Sequence, residues 1–175
     1  MADVMRKRWD LGSNPASIAD FPIATADAFE IGDILWWDQA NSAVRPVSHA
    51  NVWAANLAGS RGKVHEWFVG VCQSAHAAAD AAVTTVRVAQ RGAFEYPLDT
   101  AGTYEIGDFV TVVQDGSNSY FLDQQVARLA PLTTGNAELS IGKVVKRTAT
   151  SLSSIWFEIA GRFTMGGGPR AHLIS

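Results

Sequence analysis

A five-residue string occurs twice in this chain. Phe29-Glu30-Ile31-Gly32-Asp33 returns, with one aromatic residue exchanged, as Tyr104-Glu105-Ile106-Gly107-Asp108, 75 positions later in a chain of 175 residues. Each copy continues into an apolar run, at 34–37 and 109–113, and then into a polar, turn-like cluster. Because a repeated supersecondary unit restricts the fold more than any single motif does, the recurrence predicts two related β units.

The match continues downstream with a shrinking offset. Residues 68–72 match 140–145, and residues 83–90 match 154–160. The sequence therefore predicts pseudo-repeats at about 29–98 and 104–163 within a β domain at 29–165, with longer loops in the first copy. The alternative is that Ile-Gly-Asp is a common way to begin a strand and that the recurrence is a coincidence.

The apolar pattern is typical of strands. Alternation places Val86 and Val88 on one face of a strand and Thr85 and Arg87 on the other. Turn residues recur at intervals of roughly 8 to 15 positions, which indicates a sandwich or barrel. We therefore expect an all-β fold, either a barrel or tulip-like domain or a sandwich.

Three segments interrupt this pattern. The stretch 49–63 predicts either a helical turn that ends at Gly59 or a long loop. The alanine-rich stretch 74–82 predicts a loop or short turn, because fewer than ~12 residues rarely hold a helix unaided. The stretch 123–130 predicts one short helix that ends before Pro131.

The two ends differ from the β domain. Residues 1–28 show neither helical nor strand periodicity and predict an extended N-terminal arm, which is either a floppy leader or a segment that grips a neighbouring subunit. Residues 166–175 begin with Gly-Gly-Gly-Pro and predict a flexible tail. We expect no membrane span, because no apolar stretch approaches ~20 residues, and synthesis in a cytoplasm, because no signal peptide is recognisable.

Composition excludes several classes of function. The chain is 47% apolar and 18% charged with a net charge of −3, which favours a packed core and argues against direct nucleic-acid binding. The one cysteine, Cys72, lies in an apolar strand and is expected to be a small buried hydrophobe. The four histidines show no metal-binding spacing, so no metal and no cofactor is predicted: His49, His65, His76 and His172.

Catalytic motifs are not recognisable, and no catalytic residue is predicted. Asp33 and Asp108 each follow a glycine where a strand begins. They suggest either a paired-carboxylate site or side chains that bond backbone amides of their own turns, and the second interpretation is favoured. Gly32, Asp33, Gly107 and Asp108 are thus predicted to form two strand-opening turns.

The six tryptophans suggest contact surfaces. Trp36 and Trp37 are adjacent, so in a strand they point to opposite faces, and one of them must face solvent, a loop or a partner. Exposed tryptophans serve as anchors at protein interfaces and as platforms for sugar rings. The plain alternative is that loops fold over them.

The order of these segments resembles the capsid cement, or decoration, proteins of tailed bacteriophages. The resemblance covers about 29–163 and consists of strand order and glycine placement. It is carried by the Gly-Asp strand openings, Arg45-Pro46-Val47, Phe68-Val69-Gly70-Val71, Thr85-Val86-Arg87-Val88, Arg91-Gly92-Ala93-Phe94-Glu95, residues 104–110 and residues 141–145. The arm and the stretch 48–66 go beyond the common pattern.

The resemblance implies a non-enzymatic structural virion protein. Such a protein binds the outside of the capsid, is usually a trimer at local three-fold positions, and clamps neighbouring major capsid subunits. On this reading the arm is the adhesive segment and exposed aromatic residues assist it. The expected partner-binding residues are Arg6, Lys7, Arg8, Trp9, Leu11, Phe21, Trp37 and Trp53.

Two other functions stay open at this stage. A carbohydrate-binding module would use Trp36 or Trp37, together with Trp53, as a platform for glycan rings. An enzyme would assemble its site only in three dimensions, around Asp33, Asp108 and a histidine.

Overall fold

The computed structural model describes residues 6–9, 18–24, 26–48, 56–114, 122–129 and 139–160. Over these residues the protein is mostly β, which confirms the all-β prediction. The elements, in chain order, are β1 (Arg6–Trp9), β2 (Ile18–Pro22), β3 (Ile34–Asp38), β4 (Ala43–Pro46), α1 (Leu57–Trp67), β5 (Phe68–Cys72), β6 (Thr85–Ala89), β7 (Arg91–Tyr104), β8 (Phe109–Gln114), β9 (Leu122–Leu129), β10 (Gly142–Val144) and β11 (Thr148–Ala160).

The strands form two sheets with the same order. In the first sheet, called unit 1, the order is β2-β6-β5-β3-β4, and in the second, called unit 2, it is β7-β11-β10-β8-β9, with β1 added outside β7. Neighbours pair antiparallel, and each sheet curls until a single parallel bridge joins its ends. That bridge is Ile23 to Val44 in unit 1 and Leu98 to Ala127 in unit 2.

The pairing register is also the same in the two units. Leu35 lies opposite Gly70 in unit 1, and the residues that the sequence matches to them, Val110 and Gly142, lie opposite each other in unit 2. The pair Cys72 and Val88 corresponds in the same way to Val144 and Phe157. Since a slip of one residue would reverse every side chain, a shared register over successive strands indicates two copies of one β unit.

The correspondence between the two units begins before the repeated five-residue string. Phe21-Pro22-Ile23 pairs with β6 as Tyr96-Pro97-Leu98 pairs with β11, at the same 75-residue offset. Residues 20–33 thus align with 95–108 without a gap. The segment 18–24, which the sequence analysis assigned to an arm, forms the first strand of unit 1 and the bridge that follows it.

A close backbone approach explains the glycine that the two units share. A Cβ atom added at Gly70 would lie 2.2 Å from the carbonyl oxygen of Ala89, and one added at Gly142 would lie 2.2 Å from that of Glu158. Ala89 and Glu158 are themselves equivalent in register. Only glycine lets these strands approach so closely.

Helix α1 differs from the expectation for its segment. The sequence predicts a helical turn that ends at Gly59 or a long loop, but the helix begins at Leu57 and continues to Trp67. Gly59 lies in its first turn, where the backbone N–H donates to the Asn56 side chain at 2.8 Å. Buried Val64 belongs to the core, so tertiary packing outweighs the low helix propensity of glycine.

The prediction of a short helix at 123–130 is wrong. Residues 122–129 form β9, which pairs with β8 at Val110, Thr111 and Val112. Pairing with a neighbouring strand outweighs a weak local helix preference here. The alanine-rich stretch 74–82 holds turns and one bridge, His76 to Phe29, as expected for a loop.

Two apolar clusters form the core. One is shared by unit 1, α1 and unit 2, and includes Trp36, Val64, Phe94 and Phe157. The other lies on the opposite face of unit 1 and includes Phe29, with Phe21 and Trp37 packed at its border. The alternation predicted for β6 is confirmed, because its two valines are buried while Thr85 and Arg87 are exposed.

Candidate functional site

The repeated string forms two nearly identical strand-opening turns. In unit 1 the Asp33 carboxylate accepts the backbone N–H of Glu30 at 2.8 Å, and the Asp33 N–H donates to the Glu30 carbonyl at 3.1 Å. In unit 2 the corresponding distances between Asp108 and Glu105 are 2.9 and 3.2 Å. Each carboxylate therefore bonds the backbone of its own turn, at the N–H three residues before it.

Each turn is also hydrogen-bonded to the middle strand of its unit, which is β5 in unit 1 and β10 in unit 2. The Gly32 N–H donates to the Cys72 carbonyl at 3.0 Å, and the Gly107 N–H donates to the Val144 carbonyl at 2.9 Å. The two glycines have φ values of 107° and 96°, which side-chain-bearing residues rarely adopt. The turns are thus held by several backbone bonds and by a conformation that favours glycine.

The residue before each of these glycines faces solvent. Ile31 is 48% exposed and Ile106 is 68% exposed, and among the described residues these are the large hydrophobic side chains that remain exposed. They occupy the same position of the repeat. An ordered turn thus presents an isoleucine once in each unit.

Unit 1 contains a buried ionic network that sequence reasoning missed. Arg45 bonds both carboxylate oxygens of Asp27, at 2.7 and 3.0 Å, and one oxygen of Asp38 at 3.2 Å. All three side chains are buried. Asp27 precedes the repeated turn, so the network ties this turn segment to the β3–β4 hairpin.

The pKa values in the network move in opposite directions. The hydrogen bond to Asp27 raises the pKa of Arg45 and outweighs the effect of its burial. Burial alone would raise the pKa of Asp38, but hydrogen bonds from Asn41, Arg45 and Ala40 outweigh burial and lower it. Both charged forms are therefore stabilised in the folded protein.

Cys72 and Tyr96 lie close to the unit 1 turn. Burial, together with the nearby Asp33 carboxylate, raises the pKa of the Cys72 thiol to about 11. Burial likewise raises the pKa of Tyr96, whose hydroxyl donates to the Gly32 carbonyl. Cys72 is a protonated, buried side chain at neutral pH, which agrees with the prediction of a small buried hydrophobe.

A groove of about 500 Å³ lies between the β3–β4 turn and the second half of α1. Three indole rings contribute to it, from Trp36, Trp37 and Trp67. Trp36 is buried and Trp37 half-buried, and they belong to opposite faces of β3, as predicted. The remaining lining residues are Asp38, Gln39, Ala40, Lys63 and Glu66.

The predicted partner-binding residues have different locations. Arg6–Trp9 forms β1, which pairs with β7 of the same chain, whereas Leu11 and Trp53 lie outside the described residues. Phe21 and Trp37 are brought together, with ring centroids 6.5 Å apart in an edge-to-face arrangement. The tail predicted at 166–175 also lies outside the described residues.

The described residues contain no cluster of three or more His, Cys, Asp or Glu side chains arranged to hold a metal ion. His65 contacts the Ser140 carbonyl through Nδ1 at 2.6 Å, and His76 is buried beside the ring of Phe29. Within the same residues, no helix has the length and apolarity that crossing a membrane requires.

Comparisons with known proteins do not place the chain in a family. No family model matches the sequence, and a search of curated proteins finds no match. The two turns, the groove and the sheet edges are therefore the features from which a function has to be argued.

Proposed function

We propose that this chain is a structural virion protein of a tailed bacteriophage, which binds the outside of the capsid and stabilises contacts between major capsid subunits. The observation that carries the proposal is the pair of exposed isoleucines, Ile31 and Ile106, at one position of the repeated turn. The sequence resemblance to capsid cement proteins, described above, points to the same function.

Two equivalent contact points suit a lattice of repeated subunits. Because about half to two-thirds of each isoleucine is still exposed, a partner that buried it fully would gain about 0.7–2 kcal/mol from each one. One such contact is weak, but several contacts linked in one molecule bind much more tightly. Because the turns are already ordered by backbone bonds, docking would cost little further conformational entropy.

The hydrogen bonds of the acidic side chains favour a contact function over a catalytic one. Asp33 and Asp108 bond their own turns, and Asp27 and Asp38 bond Arg45. A general acid or base needs a side chain that can approach a substrate. Asp33 and Asp108 instead hold the two turns that carry the isoleucines, and Asp27 and Asp38 hold the Arg45 network.

The complete proposal includes assembly and location. The chain forms a homotrimer on the capsid surface, its partner is the major capsid protein, and it has no cofactor and no direct contact with nucleic acid. It is made in the host cytoplasm and joins the virion. A mass measurement in solution tests the trimer directly, and a monomer at micromolar concentration would contradict that part.

Capsid binding tests the proposed contact. Purified protein is mixed with expanded capsids that lack it, and the bound copies are counted after sedimentation. We expect Ile31→Ser and Ile106→Ser each to lower occupancy and the double variant to lower it at least about tenfold. A double control with similar exposure, Ala78→Ser with Ala81→Ser, should bind like the wild type.

Full occupancy by a folded double isoleucine variant would contradict the proposed contact. Failure of the unaltered protein to bind any tailed-phage capsid tested would overturn the function itself. Melting temperatures of all variants are measured beside binding, because a change at the surface is expected to alter stability by less than about 0.5 kcal/mol.

The tryptophan groove favours a second candidate, a carbohydrate-binding module. Its lining combines indole rings with an amide from Gln39 and opposite charges from Lys63 and Glu66, a mixture that suits a neutral sugar. Titration with neutral hexasaccharides should change tryptophan fluorescence in the wild type and the Trp156→Ala control, but not in Trp67→Ala. No change at about 10 mM sugar would exclude this candidate.

A further inference from the structure

The two units differ at one sheet edge. In unit 2 the outer edge of β7 carries β1, which pairs antiparallel, with Arg6 opposite Glu95 and Trp9 opposite Ala93. In unit 1 the equivalent strand is β2. Among the described residues, β2 pairs along its length with β6 alone. On its other side β4 approaches only at the bridge from Ile23 to Val44, just beyond the end of β2, and no described strand pairs with Ile18 or Asp20 there.

The backbone groups of this edge can be identified from the register. The Ile23 N–H donates to the Thr84 carbonyl, so the alternating positions 19, 21 and 23 face β6. Ile18 and Asp20 consequently direct their N–H and C=O groups away from the sheet. Pro22 follows on the same side and has no N–H, as is typical of an edge strand.

These two residues are the equivalents of the ones that bind β1. Ile18 corresponds to Ala93 and Asp20 to Glu95, because each pair occupies the same register in its own unit. The pairing of β1 with β7 therefore shows, within this molecule, how such an edge is filled. The added strand is short and antiparallel, and it ends before the proline.

Charge indicates what kind of strand fits. The residue opposite Arg6 is acidic in unit 2, and its counterpart in unit 1, Asp20, is also acidic and exposed. On its inner side Asp20 lies opposite Arg87 of β6, so an incoming basic residue would share this carboxylate. β1 itself reads Arg-Lys-Arg-Trp.

We propose that the outer edge of β2 is a docking site for an extended, basic segment of a partner protein, which adds to unit 1 as β1 adds to unit 2. The segment is assigned to another protein because, within the described part of the chain, β1 is the strand of this kind, and β7 of the same chain already holds it. Backbone hydrogen bonds provide the affinity, and the acid at position 20 selects a basic residue. The inference concerns the chemistry of the partner and does not depend on the capsid proposal.

A peptide copied from β1 provides the probe. The peptide Met5-Arg6-Lys7-Arg8-Trp9-Asp10 is added in trans to the full chain, and amide hydrogen exchange is followed by NMR. At about 1 mM peptide we expect exchange at Ile18 and Asp20 to slow at least about tenfold, since two edge amides gain acceptors. A peptide with glutamate at its three basic positions should give no protection.

Variants of the protein distinguish the contribution of the Asp20 backbone N–H from that of the Asp20 charge. Asp20→Pro removes one donor and should abolish peptide binding, whereas Asp20→Asn retains the donor and should weaken binding a few fold. Asp20→Ala is the matched control for loss of the side chain and should resemble Asp20→Asn. If Asp20→Pro fails to fold, the Asn variant and the acidic peptide decide the question.

Three results would overturn the proposal. The first is no protection of Ile18 and Asp20 at millimolar basic peptide. The second is equal protection by the acidic peptide. The third is faster exchange at Ala93 and Glu95 without protection of β2, which would mean that the peptide competes with β1 for β7.

Discussion

Unit 1 and unit 2 have the same strand order and register, yet they are supported by different means. Unit 1 fixes its hairpin and its turn segment with the Asp27–Arg45–Asp38 network. In unit 2 the positions of the two aspartates are occupied by Gly102 and Val113, so that network is not repeated. One β pattern thus tolerates either buried ion pairs or apolar packing, provided that the backbone register is kept.

The units also differ in what covers them. Helix α1 lies between β4 and β5 of unit 1. Of the corresponding connection in unit 2 the structure describes residues 139–141, which form no α-helix. From unit 1 the helix reaches across to unit 2, where Arg61 Nε donates to the Val112 carbonyl at 2.9 Å. An insertion in one copy has become part of the contact between the copies.

The largest expected loss of stability comes from breaking the ionic network. Arg45→Met should lower the free energy of unfolding by about 3–5 kcal/mol, because two buried carboxylates lose their cation. Arg147→Met is the control, since its pair with Glu105 is largely exposed and should contribute less than about 1 kcal/mol. Urea unfolding of both variants provides the measurement, and equal losses would contradict the comparison.

The same network predicts a pH dependence. The folded pKa of Asp38 lies below its usual 3.8, so its contribution to stability is fully present above that value and is lost as the pH falls through the folded pKa. Urea unfolding at a series of pH values below about 4 should show a shallower loss in Asp38→Asn than in the wild type. Parallel curves would show that Asp38 is not responsible.

A third prediction concerns the close-packed glycine that both units share. Gly70→Ala and Gly142→Ala should each destabilise the protein by about 3 kcal/mol, because the new methyl group meets a backbone carbonyl that cannot move alone. Gly62→Ala in α1 is the control. Its Cβ would lie 3.7 Å from Leu139 Cδ2, so it should be neutral or stabilise by up to about 1 kcal/mol. Thermal unfolding distinguishes these outcomes.

A fourth prediction compares the two strand-opening turns. Asp33 is fully buried and Asp108 is half-buried, although each carboxylate accepts the N–H three residues before it. Asp33→Ala should therefore cost about 2 kcal/mol and Asp108→Ala about 1 kcal/mol, since water replaces the acceptor less readily at the part-buried Glu30–Asp33 bond than at the exposed Glu105–Asp108 bond. Chemical denaturation of the two variants measures the difference, and a larger loss at Asp108 would contradict it.

The smallest effect involves an exchange between units. Tyr96 and Phe21 are equivalent, but only the tyrosine hydroxyl reaches the Gly32 carbonyl. Tyr96→Phe should lower stability by about 1 kcal/mol. The reciprocal Phe21→Tyr should change it by less than about 0.5 kcal/mol, because Phe21 is half-buried at the border of its cluster.

Much of the strand pattern could be predicted from local sequence. The alternation around Val86 and the opposite faces of Trp36 and Trp37 follow from the two-residue period of a strand. The apolar run at 109–113 is found in β8, where it is buried on both faces from Val110 to Val113. The prediction failed at β9, where local preference was weak, and at α1, where the stopping effect of Gly59 was overestimated. In both places contacts with residues distant in the sequence determined the secondary structure.

The candidate site was only partly visible. The repeated string identified the two turns, but nothing in it predicted that Ile31 and Ile106 would stay exposed. The match of Phe21-Pro22-Ile23 to Tyr96-Pro97-Leu98 was present in the sequence and would have identified the start of unit 1. The Arg45 network joins residues from separate segments and left no comparable signal.

The sequence alone determined the doubled β pattern, because side-chain alternation and turn-forming glycines act over a few neighbouring residues. Tertiary structure decided which edge carries β1, which isoleucines face solvent and which acids share Arg45. Those outcomes depend on strands far apart in the chain meeting in one register, and the free energy of such contacts is spread over residues that no local pattern connects.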